Sequence, residues 1–291
     1  RRCVADFRYL IVGGGMTADA ACRGIREHDE TGAIGIFAEE PHEPYARPPL
    51  TKALWKGKDA SEVWRGTPEL NADLRTSCPI ASLDLDARTT TDAAGETHSY
   101  EKVLLATGGT PRRVDAWDDG VVYYRTVDHY RQLHDLAGDG VRVAVIGGGF
   151  IGSEIAAALA INGCAVSILF PEPGIGARVF PVELARFVNE YYREQGVDVL
   201  AEESVASVAR EGDGFRVATD SGREVECEAV VAGLGIRPRT ELAEAAGLEV
   251  DDGIVVDELG RASGRQDVFA AGDVARFPAQ ALGGLRRVEH E

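Results

Sequence analysis

The chain has 291 residues, about twice a typical domain length, so two domains of ordinary size are expected in place of one oversized core. Hydrophobic residues at 44% and charged residues at 27% are the proportions of a soluble folded chain and exclude disorder. With 31 Lys+Arg against 48 Asp+Glu the net charge is −17 and no basic block stands out, which excludes nucleic acid as a partner; the most apolar stretch, Ile155 to Phe170, is too short and too broken to span a bilayer.

In chain order, Arg1-Arg2-Cys3 carries neither an initiator Met nor an apolar signal stretch, so location is weakly constrained and a cytoplasmic protein is expected unless a targeting segment has been removed. The first apolar strand, Tyr9 to Val12, runs into Gly13-Gly14-Gly15-Met16-Thr17-Ala18 and then an Ala-rich helical stretch through Ala21 and Ile25. A second strand, Ile34 to Ala38, ends in Glu39 and Glu40. Two polar-alternating strands follow, Thr89 to Thr91 and Thr97 to Tyr100, turning at Ala94-Gly95, before an apolar strand from Val103 closes into Gly108-Gly109.

The same series then repeats. Arg142 to Ile146 leads into Gly147-Gly148-Gly149-Phe150-Ile151-Gly152 and a helix from Ser153 to Ala160; Val166 to Phe170 ends in Pro171-Glu172; Phe215 to Thr219 and Glu224 to Cys227 turn at Ser221-Gly222; Val230 to Leu234 closes into Gly235. Gly13 and Gly147 are 134 residues apart, and Ala106 and Ala232 are 126 apart. Near-equal offsets indicate two copies of one unit. Ile254 to Val256 and Asp267 to Asp273 are too few residues for a third domain and are expected to return to the first copy. The expected division is 1–124 with 250–291, and 125–249. The fold class is α/β, with two duplicated Rossmann-like dinucleotide-binding domains, each a parallel sheet with an antiparallel β-meander.

A single G-x-G-x-x-G is weak evidence at this glycine content, since 34 Gly in 291 residues gives roughly half a copy by chance. Context strengthens it. The first Gly permits a tight turn, the second lets backbone N–H groups approach a pyrophosphate, and the third brings helix and strand together, a position where Ala18 is also accepted. The helix N-terminus then faces the phosphates. A carboxylate about 20 residues on should receive ribose hydroxyls: Glu39 lies 21 after Ala18 and Glu172 lies 20 after Gly152. Taken alone, each is equally readable as a solvated loop acid. Glu172 would repel the extra phosphate of NADPH, which predicts a preference for NADH that Arg178 softens. Two such folds suggest two dinucleotides with their reactive rings in contact, FAD and NAD(H). Five cysteines, at 3, 22, 78, 164 and 227, include no C-x-x-C and no close pair, so neither a metal site nor a local redox dithiol is expected.

At Leu10 to Gly15, Arg47-Pro48-Pro49-Leu50-Thr51-Lys52, Ala106 to Pro111, Gly147 to Glu154 and Ala271-Gly272-Asp273, the chain resembles the FAD-dependent pyridine-nucleotide oxidoreductases, and among them the apoptosis-inducing-factor and ferredoxin/rubredoxin reductase groups. The resemblance implies that FAD is held by Gly13, Gly15, Ala18, Glu39, Arg47, Lys52, Ala106, Thr107, Gly108, Asp273 and Glu289. It implies that NAD(H) is held by Gly147, Gly149, Phe150, Ile151, Gly152, Glu154, Glu172, Arg178 and Gly235. Lys52, held by Glu154, and His290, beside Glu289, would take the catalytic places. Many members pass electrons to a cysteine pair soon after the region matching Pro41 to Trp55, but no cysteine lies between Cys22 and Cys78. Electrons are therefore expected to leave the flavin directly, for an electron-carrier protein or another acceptor. A slower redox-responsive binding protein is the alternative, and a homodimer is left open. The family's third, C-terminal domain is expected to be absent from this chain.

Overall fold

A computed structural model describes residues 6–279 and 283–289. The chain divides into two compact units, Arg1–Ala46 with Ser61–Thr110 and Arg237–Glu291, and Arg47–Ala60 with Pro111–Ile236.

In the first unit, β1 (Asp6–Val12) leads through the glycine turn into α1 (Met16–His28) and back to β2 (Ile34–Phe37), which lies parallel to β1 with Tyr9 opposite Ile34 and Val12 opposite Phe37. The neighbouring residues Leu10 and Ile11 point to opposite faces and both are buried, so the strand is covered on both sides, as parallel sheets require. One face packs Ala18 and Cys22 of α1 against Ile11, Ile34 and Ile36. Burial of each such Leu or Ile contributes about 1.5–3 kcal/mol. Beyond β2 comes β3 (Asp73–Arg75), then a meander of β4 (Ile80–Asp84), β5 (Thr89–Asp92) and β6 (Thr97–Leu105). Thr97 to Ser99 of β6 pair antiparallel with β5, while Ser99 to Leu105 pair parallel with β1, so one strand serves both arrangements. The meander has one more strand than the sequence pattern predicts: in β4 only Leu83 is buried, which leaves no apolar alternation to read.

Besides Arg47–Ala60, the second unit takes the chain from the end of β7 (Gly109–Pro111) through β8 (Val122–Tyr123), α2 (Val127–Leu136), β9 (Arg142–Ile146), α3 (Phe150–Ile161), β10 (Ala165–Phe170), α4 (Val182–Glu194) and β11 (Asp198–Ala201). A separate meander of β12 (Val205–Glu211), β13 (Gly214–Thr219) and β14 (Glu224–Cys227) precedes β15 (Ala229–Ala232), which completes a parallel sheet of order β11-β10-β9-β15-β8. The long strand of the first copy is here two strands. Glu228 interrupts it by turning its carboxylate to the backbone N–H of Arg142 at 2.7 Å and to that residue's guanidinium at 2.6 Å.

After β16 (Ile236–Pro238) the chain returns to the first unit with α5 (Glu241–Ala245), β17 (Ile254–Val255), β18 (Val268–Ala270), β19 (Ala275–Pro278) and β20 (Leu285–Arg287). β18 extends the first sheet, with Val268 opposite Val103 of β6.

The unit boundaries differ from those expected at 124 and 250. Residues 111–124 belong with the second unit, and 237–249 with the first, where Ala243 and Leu248 join its core. Residues 47–60 belong with the second unit because Tyr124 donates to the Leu50 carbonyl at 2.5 Å, Asn162 donates to the Trp55 carbonyl at 3.0 Å, and the Trp55 ring packs edge-on to Tyr130 at 5.5 Å. Among the described residues no helix is long and apolar enough to cross a membrane.

Candidate functional site

The two glycine turns are built alike. Gly13 has φ +125° and Gly147 φ +115°, values an L side chain rarely adopts, and a Cβ on either would collide with a backbone carbonyl, that of Ala106 for Gly13 and that of Gly233 for Gly147. Each loop thus needs glycine to pass under the strand that closes its own unit. The third position differs: a Cβ at Gly152 would enter the Gly147 carbonyl, whereas the first loop accommodates the methyl of Ala18, fully buried, against α1's strand face.

The second glycines have another role. Gly15 and Gly149 are the N-caps of α1 and α3, neither offers a side-chain cap, and a Cβ built on either meets nothing within 4 Å. Each helix therefore presents its first N–H groups and the positive end of its dipole without a capping side chain. Such an end suits an anion, and a diphosphate fits the donor set. Phe150, 49% exposed, and the half-buried Ile151 flank the second loop.

The ribose-spaced acids occupy comparable places. Glu39 follows β2 and forms an ion pair with Arg239. Glu172 follows β10 and pairs with Arg178 at 2.6 Å. Arg239 is also fixed through its backbone: its N–H donates to the Gly108 carbonyl at 3.0 Å, and its carbonyl receives the Thr107 hydroxyl at 2.7 Å. The Ala106–Thr107–Gly108 segment and Glu39 are thereby joined by one residue that spacing alone does not reveal.

Lys52 and Glu154 meet, with Nζ 2.8 Å from Oε2, and the Thr51 hydroxyl donates to the same oxygen at 2.6 Å. The lysine is about half exposed, so the pair contributes at most about 1 kcal/mol to stability; its evident effect is to fix where the ammonium sits. Arg47, five residues before, donates to the Arg125 carbonyl at 3.0 Å. Asp273 lies in a 3-10 turn, Gly272–Val274; a Cβ on Gly272 would strike the Thr17 hydroxyl, so this turn abuts the first turn of α1. Gly235 turns at φ +81° and its carbonyl receives the Arg112 N–H at 2.9 Å. Glu289 accepts from Arg287 at 3.0 Å. His290 lies outside the described residues.

The thiols are free at Cys22, Cys78, Cys164 and Cys227. Burial pushes all four above the ordinary thiol range, Cys227 to about 11, which keeps them protonated and poor nucleophiles.

Two strand–turn–helix units, each with an uncapped helix end and an acid beyond the next strand, define a protein of the two-dinucleotide class. Comparison with known proteins places it more narrowly. Residues 7–287 match the family described as pyridine nucleotide-disulphide oxidoreductase, and the chain belongs to that family, whose members are oxidoreductases using FAD and NAD(P)H. It is 33% identical to the mitochondrial apoptosis-inducing factor 1 of Dictyostelium discoideum, over 99% of this chain and 60% of that protein. It is 34% identical to the seedling isozyme of monodehydroascorbate reductase of Cucumis sativus, over 98% and 71%. Among solved structures, the covalent complex of putidaredoxin reductase with putidaredoxin superposes with a TM-score of 0.91 at 30% identity, over 98% of this chain and 72% of the matched one. The chain thus spans between about three-fifths and three-quarters of the length of these relatives.

Proposed function

We propose that the chain carries out flavin-mediated oxidation of NADH, with FAD on the Gly13 to Ala18 loop and NAD(H) on the Gly147 to Gly152 loop. The observation that carries this reading is the pair of uncapped helix ends at Gly15 and Gly149, each beside a glycine that no other residue can replace without collision. FAD held there would supply a ring able to take up a hydride from reduced nicotinamide and to pass electrons on to an acceptor.

In this reading the N–H groups of the two turns bind the diphosphates, and Glu39 and Glu172 receive ribose hydroxyls. Asp273 and the Ala106 to Gly108 segment, tied by Arg239, complete the FAD side. Phe150, Ile151 and Gly235 border the nicotinamide nucleotide. Lys52 holds a positive charge that favours the reduced flavin, and Glu154 and Thr51 fix its position. Glu172 disfavours a 2′-phosphate, and its ion pair with Arg178 lessens that effect without removing it, so NADH is preferred.

Electrons leave directly for a small carrier protein. The cysteine content supports this, since no thiol lies between Cys22 and Cys78 and the described thiols are buried and held protonated. Likeness to a reductase solved together with putidaredoxin supports a protein acceptor. The test is an acceptor series with NADH as donor. Reduction of an iron–sulfur or rubredoxin-type carrier, with no turnover of disulfide substrates, is expected; NADH-dependent disulfide reduction as the main activity would refute it. Likeness to apoptosis-inducing factor favours a second reading, a binding protein governed by a slow-forming reduced state. A reduced complex that survives in air and changes the oligomeric state would favour it, and rapid turnover with a carrier would exclude it.

A further inference from the structure

The hairpin of β5 and β6 gathers side chains that neither glycine loop uses. Asp92 ends β5, Glu96 lies in the turn, His98 is the second residue of β6, and Cys78 precedes β4. Asp92 and His98 are only 4% and 2% exposed. A single oxygen, Asp92 Oδ2, lies 3.1 Å from His98 Nε2 and receives the Cys78 thiol at 3.6 Å. One ligand atom from each of Asp92, Glu96 and His98 falls within 4.8 Å of the other two. The second carboxylate oxygen of Asp92 is held by the N–H groups of Ala94 and Glu96, each at 2.9 Å, so the group cannot turn away. The imidazole is packed against Phe37 with centroids 4.8 Å apart, and its Nδ1 has no hydrogen-bond partner among the described residues, which leaves Nε2 as the atom that tethers it.

The two separations from Asp92 Oδ2 are close to those of a metal's coordination shell, and the Cys78 thiol, which is not among the three mutually close ligand atoms of Asp92, Glu96 and His98, joins them through its contact with Asp92. With metal–sulfur bonds of about 2.3 Å and metal–nitrogen or –oxygen bonds of about 2.0–2.1 Å, tetrahedral zinc has N···O edges of about 3.3 Å and S···O edges of about 3.5 Å. The observed 3.1 and 3.6 Å lie within a few tenths of an ångström of those edges. A thiol, an imidazole and two carboxylates suit zinc and its neighbours in the first transition row, whereas magnesium and calcium prefer oxygen alone. Cys78 and Glu96 are half-buried and form the open side of the cluster.

We propose that Cys78, Asp92, Glu96 and His98 form a binding site for a divalent transition metal of the zinc class, which staples the segment before β4 to the β5–β6 hairpin. Binding releases the Cys78 thiol proton to solvent and moves the imidazole proton from Nε2 to Nδ1, so that thiolate, imidazole nitrogen and both carboxylates face the ion. The proposal is independent of the nucleotide loops.

The test is equilibrium dialysis of the full chain against zinc with metal analysis, together with cobalt difference spectra. The wild type is expected to bind one equivalent of zinc and to show a thiolate-to-cobalt charge-transfer band. Cys78→Ser is expected to lose that band and to bind zinc at least tenfold more weakly, with Glu96→Gln weakened in the same direction. Both substitutions lie on the open side of the cluster, and unchanged circular dichroism of the metal-free variants confirms their fold. Sub-stoichiometric zinc at concentrations well above that of the chain, or equal zinc binding by wild type and Cys78→Ser, overturns the assignment.

Discussion

Gly15→Ala and Gly13→Ala should separate cofactor binding from folding within a single loop. At Gly15 φ is −94° and a Cβ meets nothing within 4 Å, so the added methyl strains no backbone and should cost only the alanine-for-glycine penalty at an N-cap, about 1 kcal/mol. The methyl does stand on the N-cap from which the first N–H groups of α1 would approach a diphosphate. Loss of one charge-assisted hydrogen bond, about 1.5–3 kcal/mol, corresponds to roughly 10- to 150-fold weaker flavin binding. Gly13→Ala combines an unfavourable φ of +125°, about 1–3 kcal/mol, with a collision against the Ala106 carbonyl that costs about 1–3 kcal/mol to relieve. A loss of about 2–6 kcal/mol is a large fraction of a typical domain's 5–15 kcal/mol. Urea melts would report the stabilities, and fluorescence titration with FAD the affinities. A Gly15→Ala chain that binds FAD like wild type, or one as destabilised as Gly13→Ala, would refute the reasoning.

Three further outcomes follow from the described geometry. Lys52→Met should leave the urea midpoint almost unchanged, because the exposed pair with Glu154 is worth at most about 1 kcal/mol, while stopped-flow mixing with NADH should show flavin reduction slowed by about tenfold or more. Glu172→Ser removes the acid and releases Arg178, so the NADPH-to-NADH ratio of kcat/KM should rise by about tenfold; a ratio that stays fixed would mean that Glu172 does not face the ribose. Burial raises the pKa of Asp19, but hydrogen bonds from Arg23, Arg65 and Thr67 outweigh it and leave the folded value below the ordinary one. Its stabilisation is therefore present above the unfolded pKa and lost as pH falls through the folded one, so Asp19→Asn should cost about 3 kcal/mol at pH 7 and progressively less in acid, as denaturant melts across pH would show.

The parts that could be read from sequence are those whose physics is local. Gly13, Gly15, Gly147, Gly149 and Gly152 stand where a side chain would strike backbone or cover a helix end, and the acids at 39 and 172 follow at a spacing fixed by one helix and one strand. What escaped depends on distant partners or on exposure. The Lys52–Glu154 contact joins residues 102 apart, and Glu39 and Arg239 are 200 apart, so no local pattern signals Arg239. The resemblance, not spacing, supplied the first pair. Strand β4 shows a single buried apolar side chain, and α4 turns Leu184, Phe187 and Tyr191 outward, against the usual amphipathic sense. Cys78, Asp92, Glu96 and His98 have irregular spacing because a loop, a turn and two strands bring them together. The domain boundaries shifted for a related reason: Leu50 and Trp55 find their hydrogen-bonding and ring partners at Tyr124, Tyr130 and Asn162, far along the chain.

The most direct measurement is an anaerobic titration of the FAD-loaded chain with NADH, followed through the flavin absorbance. Bleaching that is complete near one equivalent of NADH, and that requires a large excess of both FAD and NADH when Gly15 and Gly149 are replaced by alanine, is the predicted result. A chain that takes up no flavin, or whose flavin spectrum NADH leaves unchanged, contradicts the account.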